Sequence, residues 1–329
     1  MGSSVSRAVG YGCAALGAAF FSTKAIFIKL AFEEQVDASL MLAYRMLFAT
    51  PVFVAIGIWA YAQRRAKGLP PPDRRNVAWA VVTGFLGYYV ASAFDFAGLQ
   101  YISASLERLV LFTYPLFVML IAAAFYGEPL TRFGIAAAAV TYIGLAIVFT
   151  VDLPTGGRNT AIGTALVLGA AISFAWYQIL AKRFIAPLGT ALFTSVALTS
   201  AGVFCVLHQV VFGSGSFAAS PRFLWLSFGC AMVATVLPTF LINAGLARVS
   251  PQAVSMISTV SPVVTIGLAI QILGEPFTPV DAIGSALVLL GVGLFTFGDS
   301  RSRPARVAPQ ASASAPAEIL PGPARASEP

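Results

Sequence analysis

Five charged side chains interrupt the long apolar stretches in the first third of the chain. They are Lys24, Arg45, Asp95, Glu107 and Arg108. A charged group inside lipid costs about 3 kcal/mol or more unless it is paired or hydrated, so such residues line substrate or proton pathways or form ion pairs between helices. The surplus of positive charge favours a substrate that carries a carboxylate, while Glu107 or Asp95 would bind a substrate ammonium or a coupling proton. The alternative, a structural ion-pair network that holds helices together, stays open.

Three tyrosines, one serine and two prolines are further candidates for the pathway. The tyrosines fall near the middle of apolar stretches, where their hydroxyl groups need partners, so they face a central cavity or pack within the protein. Each proline is predicted to lie near the middle of a helix, where it removes a backbone donor and frees a carbonyl four residues earlier, at Leu111 and at Ser258. The prolines are therefore hinges of the transport path or static kinks. These candidates are Tyr88, Tyr89, Tyr114, Ser258, Pro115 and Pro262.

The remaining composition argues against metal sites, catalytic triads and nucleic acid. Cys13, Cys205 and Cys230 lie far apart in apolar runs, which offers neither a disulfide framework nor a zinc site. The single histidine, His208, cannot build a multi-histidine centre, and no Ser/His/Asp constellation accompanies it. The net charge of +7 comes from residues scattered in short gaps, not from a basic stripe. No metal, cofactor, catalytic residue or nucleic-acid partner is predicted.

The elements that must position these residues are membrane-spanning helices. Of the 329 residues, 58% are hydrophobic and 10% are charged, whereas soluble proteins carry about 25% charged residues. The lipid bilayer is therefore the first partner, and a spanning helix needs about 20 mostly apolar residues. We predict an all-α integral membrane protein with ten transmembrane helices. The predicted spans are 10–32, 39–61, 76–97, 102–126, 132–151, 160–181, 189–212, 222–246, 251–274 and 279–298.

Basic residues in the gaps between these spans set the orientation, because cytoplasmic loops are enriched in lysine and arginine. One set of alternate gaps holds only Arg158 and Arg222, whereas the other set holds fourteen basic residues, which predicts that both termini are cytoplasmic. Residues 299–329 are built from Pro, Ala, Ser and Arg without apolar periodicity and are predicted to form a disordered cytoplasmic tail. The fourteen are Arg7, Arg64, Arg65, Lys67, Arg74, Arg75, Arg132, Lys182, Arg183, Arg248, Arg301, Arg303, Arg306 and Arg325.

The second half of the chain repeats the first half in sequence. A shift of 147 residues places Pro115 on Pro262 and the Gly-Glu-Pro triplet at 127–129 on the triplet at 274–276. We predict a five-helix repeat at 1–151 and a second one at 152–298, which an odd number of helices forces into the opposite orientation. Such inverted repeats are typical of secondary transporters that work by alternating access. The glutamates of the two triplets are expected to have a structural role in these turns.

The two five-helix units, each with a proline-containing helix, a Gly-Glu-Pro turn and a glycine-containing last helix, resemble the drug/metabolite transporter superfamily, specifically its EamA-type members. The resemblance covers about residues 10–298, and its most specific parts are 103–131 and 250–278. It implies a multi-pass carrier in the plasma membrane, the inner membrane of a bacterium. It also implies export of amino acids or other small metabolites, with the substrate held between the two halves.

The sequence therefore predicts a secondary transporter for a small metabolite, an amino acid or a related carboxylate, that works by alternating access. One alternative is a broad-specificity efflux carrier for lipophilic compounds, which would bind them through aromatic residues. A second alternative is a membrane-embedded enzyme that uses Glu107, Asp95 and Lys24 as acid and base groups. The enzyme would need neither an inverted repeat nor matching prolines.

Overall fold

The protein is α-helical throughout the part of the chain that its computed structural model describes, residues 2–127, 132–213, 217–246, 248 and 260–302. No strand occurs among these residues. Within the described ranges, seven helices are long and apolar enough to cross a membrane. The α-helices are Gly2–Ser22, Lys24–Phe32, Ala38–Ala66, Arg74–Gly84, Ala91–Leu99, Ala104–Leu111, Tyr114–Tyr126, Arg132–Gly156, Arg158–Leu188, Thr190–Val211, Pro221–Ala231, Leu237–Leu246, Val260–Leu268 and Pro279–Ser302.

Three of the ten predicted spans do not belong to these seven long helices. Their described apolar parts are the shorter helices Gly134–Phe149, Ser261–Leu273 and Pro279–Gly291, so the count of ten stays a prediction. The last described helix ends at Ser302, inside the predicted tail, and the division of the chain at 299 stays a prediction. The rest of the tail, 303–329, lies outside the described residues.

The Gly-Glu-Pro triplets begin with a left-handed glycine where they are described. Gly127 and Gly274 have φ angles of 66° and 65°, the left-handed conformation that ends a helix. After the second turn, the Thr278 amide donates to Asp281 Oδ2 at 2.8 Å and the Asp281 amide donates to Thr278 Oγ1 at 3.3 Å. This reciprocal cap confirms the predicted start of the last helix. Residues 128–131 of the first turn lie outside the described residues.

The fourth predicted span is broken where we expected a kink. Helix Ala104–Leu111 ends in a turn at Phe112 and Thr113, and Pro115 lies in the first turn of the next helix, Tyr114–Tyr126. The expectation of a mid-helix position for Pro115 is therefore wrong. A proline has no amide to donate, so the first turn of a new helix accommodates it without the clash that it causes inside a helix. A second break, at Thr23, divides the first span.

Three of the spans also contain π-helical turns, at Phe85–Val90, Met232–Val236 and Ala269–Leu273. The shift of 147 residues places the start of the first on the start of the second. A π-helical turn adds one residue to a turn of helix and frees backbone groups, and such turns are frequent at functional sites. The first π-helical turn joins directly to the helix that carries Asp95.

Helices Arg132–Gly156 and Pro279–Ser302 pack through glycines that correspond under the same shift. A Cβ atom on Gly144 would lie 2.6 Å from the carbonyl oxygen of Gly284 and 2.7 Å from the amide nitrogen of Val288. A Cβ atom on Gly291 would lie 2.7 Å from the equivalent atoms of Ala137 and Thr141. The shift exchanges these two sets of contacts, so the helix pair packs as two symmetric partners do. The missing side chains allow the two backbones to approach closely.

Candidate functional site

Four of the five predicted charged residues meet at one buried place between three short helices. Lys24 is the first residue of helix Lys24–Phe32, after the break at Thr23. Asp95 belongs to helix Ala91–Leu99, and Glu107 and Arg108 belong to helix Ala104–Leu111. All four are at most 5% exposed. Helix breaks are tolerated at membrane depth where the free backbone groups face protein or a cavity, and here they bring charged side chains together.

Lys24 lies between the two carboxyl groups of this charged cluster. Its ammonium nitrogen is 2.5 Å from Asp95 Oδ2 and 3.8 Å from Glu107 Oε1. The Nε atom of Arg108 lies 4.0 Å from Glu107 Oε2. Asp95 is buried, and its side chain extends to Lys24. The cluster is thus one close ion pair with a second, looser pair beside it.

Glu107 is the least satisfied member of the charged cluster. Its carboxyl group is fully buried, and neither oxygen has a hydrogen-bond donor among the described residues. A buried carboxylate normally accepts several hydrogen bonds, so this site provides a place for a proton or for a ligand donor.

Arg45 is the fifth charged residue and has no carboxylate partner among the described ion pairs. It is 4% exposed, its Nη2 donates to Ser92 Oγ at 3.1 Å, and its guanidinium lies 4.8 Å from the centre of the Phe96 ring. The buried Nε has no hydrogen-bond partner in the described structure. Arg45 belongs to helix Ala38–Ala66 and contacts helix Ala91–Leu99, which also carries Asp95, through Ser92 and Phe96. A desolvated guanidinium of this kind is suited to a carboxylate.

Both halves of the chain contribute polar groups to the break in the first span. Arg108 Nη2 donates to the Phe21 carbonyl at 3.3 Å, and Thr265 Oγ1 donates to the Ser22 carbonyl at 3.0 Å. The hydroxyls of Ser22 and Ser261 are 2.8 Å apart. The sequence analysis missed this site at Phe21 and Ser22, because nothing in the apolar pattern marks the break at Thr23. The only sequence feature that marks this position is the pair Ser22 and Thr23 beside Lys24.

The three predicted tyrosines pack against other aromatic rings. Tyr88 meets Tyr177 edge to face with centroids 5.1 Å apart, and Tyr114 meets Phe174 at the same distance. Because Phe174 also stacks on Tyr177, these rings form one aromatic group, which we call the aromatic cluster. Tyr89 instead hydrogen-bonds His208 Nδ1 through its hydroxyl at 2.7 Å. A role of these tyrosines in the pathway stays a prediction.

The remaining site predictions involve residues that the structure describes only in part. Ser258 lies outside the described residues, and Pro262 is the third residue of helix Val260–Leu268, the start of the described segment. The hinge role of Pro115 and Pro262 therefore stays a prediction. In the described part of the chain, no group of three or more His, Cys, Asp or Glu residues is placed to hold a metal ion.

Comparisons with known proteins agree with this architecture. Residues 8–150 and 161–297 each match the family model described as "EamA-like transporter family". The uncharacterised transporter YcbK of Bacillus subtilis is 27% identical, over 82% of this chain and 86% of that protein. A probable amino-acid metabolite efflux pump of Salmonella typhimurium is 28% identical, over 65% of this chain and 75% of that protein. One crystal structure aligns with 92% of this chain and with 99% of the chain in that structure, at 18% sequence identity and a TM-score of 0.60. This is a likeness of fold.

Proposed function

Because this chain belongs to the EamA-like transporter family, we propose that it exports a small metabolite with a carboxylate group, such as an amino acid, by alternating access. The observation that carries the substrate class is Arg45, a buried guanidinium with an unused Nε donor and no described carboxylate partner. An arginine can bind a carboxylate through two parallel hydrogen bonds. Export is supported by the relative named as a probable amino-acid metabolite efflux pump.

Alternating access is supported by features that recur under the shift of 147 residues. The family model matches each half of the chain separately, which supports the repeats at 1–151 and 152–298. The paired glycine contacts and the paired π-helical turns support a pseudo-twofold relation between the halves. In inverted-repeat carriers, exchange of the conformations of the two halves opens the opposite side.

The proposed roles are divided between Arg45 and the members of the charged cluster. Arg45 binds the substrate carboxylate, and Asp95 holds Lys24 in place through the 2.5 Å contact. Glu107, whose carboxyl oxygens have no hydrogen-bond partner among the described residues, binds the substrate ammonium or a coupling proton. This division explains why a site of three cations and two carboxylates is maintained in lipid despite its cost.

The proposal is tested with purified protein in liposomes. A thermal-shift screen against amino acids and other small carboxylates identifies ligands, because a compound that binds only the folded state raises the apparent stability. Counterflow of the best ligand then measures transport. We expect Arg45→Gln to remove the thermal shift and to lower transport at least about tenfold, the effect of losing roughly 1.4 kcal/mol of binding.

Arg222→Gln is the matched control, because Arg222 is exposed and pairs with Glu33 and Glu34 outside the charged cluster. It should leave both measurements unchanged. Equal ligand binding and flux in wild type and Arg45→Gln would exclude Arg45 as the carboxylate site. Product formation without flux would instead favour a membrane-embedded enzyme.

A broad-specificity carrier for lipophilic compounds is the second candidate, and the aromatic cluster favours it. Tyr88, Tyr114, Phe174 and Tyr177 form a continuous set of ring contacts, which offers an apolar binding surface. Such a carrier would tolerate Arg45→Gln and would lose transport of lipophilic compounds in Tyr88→Ala. The two candidates therefore respond to different substitutions.

The proposed orientation places both termini in the cytoplasm of a plasma membrane. In a variant without the native cysteines, a cysteine at Gly68 should react with an impermeant thiol reagent from the cytoplasmic side, and one at Gly156 from outside. The reason is the asymmetry of fourteen basic residues against two in alternate gaps. Labelling on intact cells and on inverted vesicles measures both positions. Reversed accessibility would contradict the orientation.

A further inference from the structure

The Gly-Glu-Pro turn of the second half reaches the helix that carries Glu107 and Arg108. Glu275 Oε1 accepts a hydrogen bond from the Ala104 amide at 2.6 Å. Glu275 Oε2 accepts from the Ser105 amide at 3.1 Å and from the Ser105 hydroxyl at 2.8 Å. One carboxylate thus takes three donors at the start of helix Ala104–Leu111. This contact joins the second half of the chain directly to the element that positions the charged cluster.

The contact is favourable for two physical reasons. The first amides of a helix have no partners within the helix, and a negative charge at this end is stabilised by the helix dipole. Hydrogen bonds to a charged group are also stronger than those between neutral groups. Glu275 follows Gly274, whose left-handed conformation turns the chain out of the preceding helix. The turn therefore presents Glu275 to a helix of the other half.

We propose that Glu275 is a positioning residue that latches the outer end of the transport pathway and is released when that end opens. The inference rests on the alternating-access mechanism proposed above. Under the proposed orientation, the turn after Gly274 and the connection before Ala104 lie on the same, outer side of the membrane. While the contact holds, helix Ala104–Leu111 cannot move away from the second half. Glu107 and Arg108 then remain in the closed, buried charged cluster.

The sequence repeat supplies a counterpart on the opposite side. The shift of 147 residues places Glu128 on Glu275, and Pro251 and Gln252 on Ala104 and Ser105. These three counterparts lie outside the described residues, so this step is an inference from the repeat alone. Glu128 would latch the cytoplasmic end in the other conformation.

Side-specific labelling of Cys230 tests the latch without any substrate. Cys230 is fully buried in the same core as Phe96, and Cys13 and Cys205 are replaced by alanine to leave it as the single thiol. Glu275→Gln removes the charge and turns one acceptor into a donor. We expect the ratio of the labelling rate from outside to the labelling rate from the cytoplasm to rise about tenfold. This factor corresponds to the free energy of one hydrogen bond to a charged group. Ser105→Ala, which removes one donor only, should shift the ratio less and in the same direction.

Glu128→Gln is the matched variant and should shift the labelling ratio in the opposite direction. If the two turns are structural and have no part in the transport cycle, Glu275→Gln and Glu128→Gln should both lower the melting temperature and leave the labelling ratio unchanged. An unchanged ratio, or a change in the same direction for both, would overturn the latch. Because the readout is thiol labelling, failure of the proposed substrate class would leave this result intact, and a failed latch would leave Arg45-dependent flux intact.

Discussion

Asp95→Asn is expected to lower the free energy of unfolding by about 3 kcal/mol, the low end of the cost of breaking a buried ion pair. The substitution removes the carboxylate that lies 2.5 Å from the Lys24 ammonium, and both side chains are almost fully buried. Lys24 would then have only Glu107, at 3.8 Å, as a counter-charge. The measurement is the yield of detergent-solubilised protein together with unfolding in mixed micelles.

The double variant Lys24→Met/Asp95→Asn should recover most of the lost stability. Removing both charges leaves no unpaired ion, and replacement of a whole buried pair by similar volume is often neutral. Glu33→Gln is the control, because Glu33 lies in an exposed ion pair with Arg222, where the contribution to stability is small. If the double variant lost as much stability as the two single variants together, Lys24 and Asp95 would not be a coupled pair.

The sequence predicts helices well in this protein and predicts their interruptions poorly. Long apolar runs mark the spans because lipid requires them, and the left-handed Gly127 and Gly274 follow from their place before a proline. The break at Thr23 and the π-helical turn at Phe85–Val90 leave no such mark. When every face of a helix is apolar, the pattern has no period that would reveal an added or missing residue.

The sequence predicted which charged residues lie inside the apolar spans, but not how they pair. The cost of charge in lipid singles out Lys24, Asp95 and Glu107 from the sequence alone. Which carboxylate pairs with Lys24 depends on the break at Thr23, which the sequence did not reveal. The role of Glu275 also extends beyond its own turn, because its partners Ala104 and Ser105 are about 170 residues away in sequence. Local capping rules cannot indicate a partner in another helix.

Glu107→Gln is expected to separate stability from transport. The Glu107 oxygens have no hydrogen-bond donors in the described structure, and its cations lie at 3.8 and 4.0 Å. Loss of this charge should therefore cost less stability than Asp95→Asn, because Lys24 keeps its closer partner. Net transport driven by a pH gradient should fall at least about tenfold, equivalent to roughly 1.4 kcal/mol, since the amide cannot release a proton. Substrate exchange at equal pH on both sides should persist.

Three measurements on Glu107→Gln distinguish the functional role from a structural one: solubilised abundance, melting temperature and liposome flux at several pH values. Low abundance that Arg108→Gln restores would assign Glu107 to a structural ion-pair network, because the rescue removes the cation that Glu107 had balanced. Normal abundance with unchanged flux at every pH would exclude Glu107 from the pathway. Normal abundance with exchange retained and gradient-driven flux lost is the expected result, since only a group that binds and releases a proton separates these two modes of transport.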